Sequence, residues 1–361
     1  MRKLLRQLAR RAPPDLRYRD RLNAMWERHL APRAEGAPTV VSTFAGCGGS
    51  SLGYSMAGYR ELLAVEWDAN AVACFRANFP EVPVYHGDIA ALSVEEVLRL
   101  TGLRLGELDV FDGSPPCQGF STAGKRDFAD PRNQLFREYV RLLNGLQPRV
   151  FVMENVSGMV KGDMKLIFAE VLTELRGCGY RVTARLMNAA FFGVPQARQR
   201  MIFVGVRNDL EMEPAHPLAE TAPMPLKLAI LGIDGLPVEH PAPPRLSPKY
   251  RALAPRIRIG ECAADHDHDP GKGFQNLVRV DPERPSPTLT KMNPGYGRGT
   301  PLHPYEHRSL SIEEAKRIGS FPDAFRLVGS FENQWARIGN SVPPLLMEAI
   351  ARTIRERLLA R

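Results

Sequence analysis

Cysteine is scarce in this chain of 361 residues. Its five copies (Cys47, Cys74, Cys117, Cys178, Cys262) are odd in number, widely spread and never spaced Cys-x-x-Cys. That pattern argues against a disulfide framework and a cysteine-based zinc site, and it suits a reducing compartment. Long apolar runs are also missing: none approaches 18 residues, and the arginine-studded start has no apolar leader core. A soluble, unsecreted chain with no membrane contact is expected. The one run that resembles a metal site, Asp265-His266-Asp267-His268-Asp269, reads as a solvated loop, so no metal is expected.

The composition itself is ordinary, 44% hydrophobic and 24% charged, enough for one large domain and a smaller one. The net charge of +8 is unevenly placed: residues 1–36 carry ten Lys/Arg against Asp15, Asp20, Glu27 and Glu35, leaving only +2 for the rest. This basic arm alternates charge with Leu4, Leu5, Leu8, Leu16, Leu22, Met25, Trp26 and Leu30 and is broken by Pro13-Pro14. It reads as two short amphipathic helices, which suit either a DNA backbone or a solvated face packed on the domain.

The stretch that organises the chain is Gly113-Ser114-Pro115-Pro116-Cys117-Gln118-Gly119-Phe120-Ser121. The apolar run Leu108–Phe111 predicts a buried strand, and the two prolines that follow end it and stiffen the loop. Cys117 then sits at a strand's carboxyl end, where open α/β sheets bind ligands. A lone cysteine is also often an inert small hydrophobe, so its neighbours must decide.

Thr39–Phe44 predicts a strand entering the glycine-rich turn Phe44-Ala45-Gly46-Cys47-Gly48-Gly49-Ser50-Ser51, with a helix over Leu52–Ala57. Strand, glycine turn and helix in that order make a cofactor cradle, since glycine permits close backbone approach. A second strand, Leu62–Val65, ends in Glu66-Trp67-Asp68, where such folds place an acid on a ribose hydroxyl pair. A third ends in Gly87-Asp88-Ile89, and Ser93 with Glu96 starts the next helix. Helical spacing over Asn133–Asn144, a strand Val150–Met153 ending in Glu154-Asn155-Val156, a helix around Lys165–Arg176 and strands Arg181–Met187 and Met201–Val206 continue the βαβ order. That order predicts an α/β fold with a doubly wound sheet.

After about residue 211 prolines crowd in and periodicity fades, which predicts a loop-rich insertion. Helical order returns at Ser311–Gly319. A final helix is expected from about Leu345 to Leu359, after Gly339-Asn340-Ser341-Val342-Pro343-Pro344.

Six segments in this order resemble the cytosine-C5 DNA methyltransferase family of the bacterial restriction–modification type. They are the glycine loop at Phe44–Gly49, Glu66 with Asp88, Pro-Cys-Gln at 116–118, Glu-Asn-Val at 154–156, Gln-x-Arg-x-Arg at 196–200 and Gly-Asn-Ser-Val-Pro-Pro at 339–344. The resemblance spans about residues 39–211 and 284–350. It implies an S-adenosylmethionine-dependent, Rossmann-like domain with a smaller target-recognition domain, divided as arm 1–36, catalytic part 37–210, recognition part 211–304 and a catalytic return over 305–361.

The implied reaction is methyl transfer from S-adenosyl-L-methionine to C5 of a flipped-out cytosine, with Cys117 adding to C6, Glu154 protonating N3, and Arg198 and Arg200 holding the base. The N3 role asks for a carboxyl partly protonated near neutral pH, hence a desolvated pocket. The implied cofactor residues are Phe44, Gly46, Cys47, Gly48, Gly49, Glu66, Trp67, Asp88, Ile89, Pro116, Leu135, Asn340 and Ser341. DNA contacts are implied at Gln118, Ser121, Gln196, Thr288, Leu289, Lys291 and Arg298.

The implied partner is double-stranded DNA, with a monomeric, nucleoid-associated enzyme in a prokaryotic cytoplasm and a cognate restriction endonuclease. Gly-x-Gly-Gly is not the dehydrogenase fingerprint, and a nicotinamide enzyme has no use for Pro-Cys-Gln beside Glu-Asn-Val. A tRNA-directed member of the family is the first rival, although the Cys-Phe-Thr tripeptide of that branch is missing. A catalytically silent DNA-binding regulator is the second, and it would usually have lost one of the four reactive residues. The recognised bases are not written in any segment.

Overall fold

Seven strands form one sheet in the order β3-β2-β1-β4-β5-β7-β6: β1 (Thr39–Thr43), β2 (Arg60–Glu66), β3 (Val84–His86), β4 (Val110–Gly113), β5 (Val150–Val156), β6 (Tyr180–Asn188) and β7 (Gln199–Arg207). The computed structural model describes residues 18–116, 131–160, 164–230, 240–265, 277–292 and 301–360. β3 to β5 pair in parallel, while β7 runs antiparallel to β5. This is the doubly wound, Rossmann-like α/β class expected. The link from β6 to β7 carries only the short 3-10 turn Ala189–Phe192 and no crossover helix, so β7 returns against the parallel direction.

The central strands are apolar because both sheet faces are covered. On one face Val41, Leu63, Phe111 and Phe151 pack against two helices, Pro131–Leu146 and Met164–Gly177, through Tyr139, Leu142, Val171 and Leu175, with Phe111 stacked on Tyr139 at 5.0 Å. On the other face lie the helix Gly49–Met56 and the last helix, Pro344–Ile354. These two approach so closely that a Cβ on Gly53 would lie 2.6 Å from the Met347 Cβ. Between β1 and β4 the strand order reverses, and in open α/β sheets ligands bind at the carboxyl ends of the strands at such a point. The glycine loop follows β1 and the Pro-Pro segment follows β4, so both flank that switch point.

The predicted strands form with ends shifted by up to three residues. The largest extensions have one cause: the β5–β7 ladder runs out to the Val156–Arg200 pair, which draws Glu154 and Arg200 into strands. Two helices without strong sequence signals, Ala69–Asn78 and Phe331–Asn340, complete the pattern.

The described residues divide into two compact units. A sheet unit is drawn from His29–Met187, Gln199–Leu218 and Met347–Arg361, and a second unit from Met1–Arg28, Asn188–Arg198 and Ala219–Leu346. Residues 305–346, expected with the catalytic part, thus group with the insertion, as does Asn188–Arg198. The reason is local packing: Ala197 N–H donates to the Ser286 carbonyl (2.8 Å), and the helix Ile312–Ile318 packs on the short helix Lys227–Ile230. Among its described residues the insertion has little regular structure, with one two-strand pair, Val278–Arg279 and Pro301–Leu302.

Of the basic arm, the helix Tyr18–Leu30 is described, and it buries Tyr18, Leu22, Met25 and His29 along one stripe. His29 is bonded to Ser55 Oγ (2.7 Å) and the Asn78 carbonyl (3.1 Å), while Arg19 and Arg28 point outward. The described half of the arm is therefore a packed helix with a solvated basic face. No helix among the described residues is long and apolar enough to cross a membrane.

Buried charge holds the second unit together. Arg308 grips Glu314 through both terminal nitrogens at 2.9 Å, and Glu314 closes the capping box with Ser311 that the sequence predicts. Burial alone would push the Glu314 carboxyl up, but hydrogen bonds from Arg308 and His303 outweigh it and hold the group at about 2. The folded value lies below the unfolded one, so this stabilisation is complete above about pH 4.5 and is lost as pH falls toward 2. Glu314→Gln should cost about 3 kcal/mol at pH 7. It should also flatten the fall in melting temperature between pH 5 and pH 3, which thermal denaturation at both pH values measures.

Candidate active site

The turn after β1 is built on left-handed backbone, with φ of 54° at Phe44, 58° at Gly46 and 97° at Gly48. A bulky residue held there stores about 1–3 kcal/mol of strain, a feature that clusters at ligand sites. The two glycines serve different ends. A Cβ at Gly48 would run into the Phe79 and Phe75 rings, whereas one at Gly46 would meet nothing within 4 Å. Space over the loop is thus open at Gly46.

Glu66, at the end of β2 and 8% exposed, braces that loop. Its carboxylate accepts from the main-chain N–H of Gly46 (2.8 Å), Trp67 (2.9 Å) and Asp68 (2.9 Å). Three bonds leave part of its acceptor capacity for a further donor. Beside it Trp67 is 78% exposed, an unusual state for so large an apolar surface. Asp88 caps the turn Ile89–Ala91 through the Ala90 N–H (2.9 Å), with its side chain in solvent and Ile89 buried. Cys47 is buried, Leu135 is half-buried against the core, and Pro116 is exposed.

Two residues of β5 do the most. Glu154 and Arg200 lie diagonally across the antiparallel ladder, Glu154 opposite Ile202 and Arg200 opposite Val156, which brings their side chains onto one face. Arg200 Nε meets Glu154 Oε1 at 2.6 Å, and both side chains are nearly buried. The neighbouring Asn155 turns to the other face, donates to the Pro115 carbonyl (3.0 Å) and accepts from the Val156 N–H (2.8 Å). It therefore anchors the proline loop that leads to Cys117 directly to the strand carrying Glu154.

Sequence reasoning overlooked the acids behind this face. Asp112 on β4, 3% exposed, accepts from the Tyr54 hydroxyl (3.2 Å). Burial pushes its carboxyl well up, and the Glu61 and Glu154 charges push the same way against the Tyr54 and Ser50 hydrogen bonds. Glu61 is itself pushed up to about 7 by burial, against bonds from Ser42 and Ser51. The available signal was one acid inside the apolar strand Val-Phe-Asp-Gly.

The second unit holds the remaining residues. Arg198, expected on the base, is instead 2% exposed, and its guanidinium donates to the carbonyls of Leu289 (2.9 Å) and Gly339 (2.9 Å). Gln196, expected on DNA, is equally buried. It donates to the Ile318 carbonyl (3.3 Å) and accepts from the Leu289 N–H (3.2 Å). Leu289 is a 2%-exposed core side chain, which leaves it no external face. In this structure all three side chains are engaged in internal packing and hydrogen bonds. Thr288 bonds the Ala197 carbonyl (3.0 Å), Lys291 is exposed, Asn340 is exposed at a helix end, and Ser341 Oγ bonds the Arg337 carbonyl (2.7 Å). Cys117, Gln118, Ser121 and Arg298 lie outside the described residues, as do His266, Asp267, His268 and Asp269. Among the described residues no cluster suited to a metal ion occurs.

Residues 39–356 match the family described as C-5 cytosine-specific DNA methylase. The chain is 36% identical over 332 residues to the type II methyltransferase M1.HphI of Haemophilus parahaemolyticus, covering 88% of this chain and 86% of that protein. It is 32% identical over 375 residues to the type II methyltransferase M.DdeI of Desulfomicrobium norvegicum, covering 87% and 88%. Among solved structures, the Dnmt2 methyltransferase of S. pombe superposes with a TM-score of 0.62 at 17% identity, over 89% of this chain and 99% of that one, a likeness of fold alone. The chain belongs to the C-5 cytosine-specific DNA methylase family. Its enzymatic class is DNA (cytosine-5-)-methyltransferase.

Asn155→Ala should release the Pro115 carbonyl at a stability cost of about 1–3 kcal/mol. Methyl transfer should fall roughly 100-fold, because small displacements near reacting atoms are costly. Melting curves beside single-turnover methylation would measure both, and an unchanged rate would remove the anchoring role.

Proposed function

We propose that this chain methylates C5 of a flipped-out cytosine within a short double-stranded DNA sequence, using S-adenosyl-L-methionine and a covalent bond between Cys117 and cytosine C6. The observation that carries the reading is the Glu154–Arg200 pair at the end of β5, beside the Asn155 anchor of the Pro115–Pro116 loop. Cytosine C5 is a poor nucleophile. Addition of the Cys117 thiolate to C6 turns C5 into an enamine carbon, and a proton from Glu154 to N3 accepts the electron pair displaced from the ring. Arg200 holds one oxygen of the Glu154 carboxyl group, and the second, protonated oxygen would face the base, while the remaining Arg200 donors suit the cytosine O2. Methyl transfer to C5 would leave S-adenosylhomocysteine; a solvent base then takes the C5 proton, the C6–S electron pair returns to Cys117 as thiolate, and the N3 proton returns to Glu154. Extruding the base costs a few kcal/mol, which pocket contacts offset.

The residues around the glycine loop fit the methyl donor. There is open space over Gly46, residual acceptor capacity on Glu66 for ribose hydroxyls, and the exposed Trp67 ring and the Asp88–Ile89 turn for an adenine. Phe44, Gly46, Cys47, Gly48 and Gly49 would line it through backbone and ring edges, Pro116 and Leu135 through apolar contact, and Asn340 and Ser341 through polar contact at the methionine end. When bound, S-adenosyl-L-methionine supplies an electrophilic methyl carbon on a sulfonium. On the DNA side Thr288 and Lys291 are proposed contacts, with Gln118, Ser121 and Arg298 added from the family pattern. A partner restriction endonuclease, a monomeric state and a nucleoid-bound place in a prokaryotic cytoplasm are proposed from the family resemblance.

Incubation with S-adenosyl-L-methionine and unmethylated plasmid, followed by bisulfite sequencing, should show protected cytosines in one short recurring sequence. Cys117→Ala should abolish protection, and Glu154→Gln should slow it roughly 10²–10⁴-fold. Protection that persists in Cys117→Ala would end the assignment of the nucleophile. A blank on plasmid with methylation of tRNA would replace DNA by RNA as substrate.

A further inference from the structure

Three motif segments of the second unit converge on one guanidinium. Arg198 reaches the Leu289 carbonyl with Nη1 and the Gly339 carbonyl with Nη2, both at 2.9 Å, and is 2% exposed. The same two segments are clamped a second time. Trp335, on the helix that ends at Asn340, donates its indole N–H to the Thr290 carbonyl (2.9 Å), and Gly339 packs so tightly on the Thr290–Lys291 peptide that a Cβ there would lie 2.6 Å from the Lys291 nitrogen. Gln196 adds a third tie through the Leu289 N–H (3.2 Å). Such a cluster has no slack, because every bond ends on main chain and a close-packed contact cannot stretch continuously.

We infer that Arg198 is a positioning residue that couples the Gly339–Ser341 turn to the Thr288–Lys291 segment, so that cofactor bound at the turn sets the placement of the segment that meets DNA. This rests on the proposed roles of Asn340 and Ser341 toward the cofactor and of Thr288 and Lys291 toward DNA. The forked, planar guanidinium is what allows one side chain to hold two carbonyls in a fixed relation. A ligand that fixes Asn340 fixes the Gly339 peptide, and through Arg198 the Leu289 peptide. Coupling of this kind is reciprocal, so DNA on the segment would tighten cofactor binding by the same factor.

Hydrogen exchange on the full chain, with and without S-adenosylhomocysteine, tests this without knowledge of the recognised sequence. In the parent protein the ligand should slow exchange both in a peptide covering residues 44–67 and in one covering residues 285–292, the second by roughly 10-fold, within the usual range of coupling. In Arg198→Met the first protection should persist and the second should vanish, and Arg198→Lys should restore it in part. Trp335→Phe, which removes one tie but keeps the ring stacked on Phe331, should weaken the second protection if Arg198→Met does not fold. Protection at 44–67 without any at 285–292 in the parent, or equal protection at 285–292 in parent and variants, would overturn the coupling. Absence of protection at 44–67 in the parent would instead overturn the cofactor reading beneath it.

Discussion

A buried carbonyl needs a donor, and a unit with almost no sheet must find its donors in side chains. That requirement shapes the second unit. Arg279, 5% exposed, donates to the carbonyls of Ile257, His303, Glu306 and Ala254 at 2.6–2.7 Å. Arg198 does the same for Leu289 and Gly339, and Arg308 closes the Glu314 capping box. The Arg279 and Arg198 guanidiniums stand in for ladder rungs and bring together segments far apart in sequence, whereas Arg308 acts locally. In the sheet unit the ladder itself does that work, and side chains are released for chemistry.

The contrast explains why two arginines with one residue between them end in different roles. On a strand, Arg198 and Arg200 would share a face. But β7 begins at Gln199, so only Arg200 inherits the strand's alternation and faces Glu154, while Arg198 precedes it and turns into the second unit. The motif spacing was legible, and the element boundary that splits it was not. The burial of Gln196 was hidden for a related reason: a polar side chain suggests an outward face, yet an amide matches a peptide's donor and acceptor and can be fully buried where two segments cross.

Most of the sheet could be read directly, because parallel strands buried on both faces appear as apolar runs ending in turn residues. Glu66, Asp88 and Glu154 could be placed near the strand ends for the same reason. The Glu154–Arg200 contact could not, since it depends on β7 entering antiparallel, a choice set by the length of a loop. Asp112 was hidden within an apolar run, and the groups that act on it, the Tyr54 hydroxyl and the Glu61 charge, come from a helix and from β2, two strands away. Asn155 carried no local sign of its role, since its partner is a carbonyl 40 residues upstream.

Apart from the Thr288 hydroxyl on the Ala197 carbonyl, the grip on residues 288–291 ends on main-chain atoms: carbonyls at Leu289 and Thr290, an amide at Leu289, and the peptide against Gly339. Every amino acid carries those atoms. The identity of the exposed side chains at Thr290 and Lys291 is therefore separable from the placement of the backbone that presents them. A backbone held in this way can carry different side chains at its exposed positions without losing its placement.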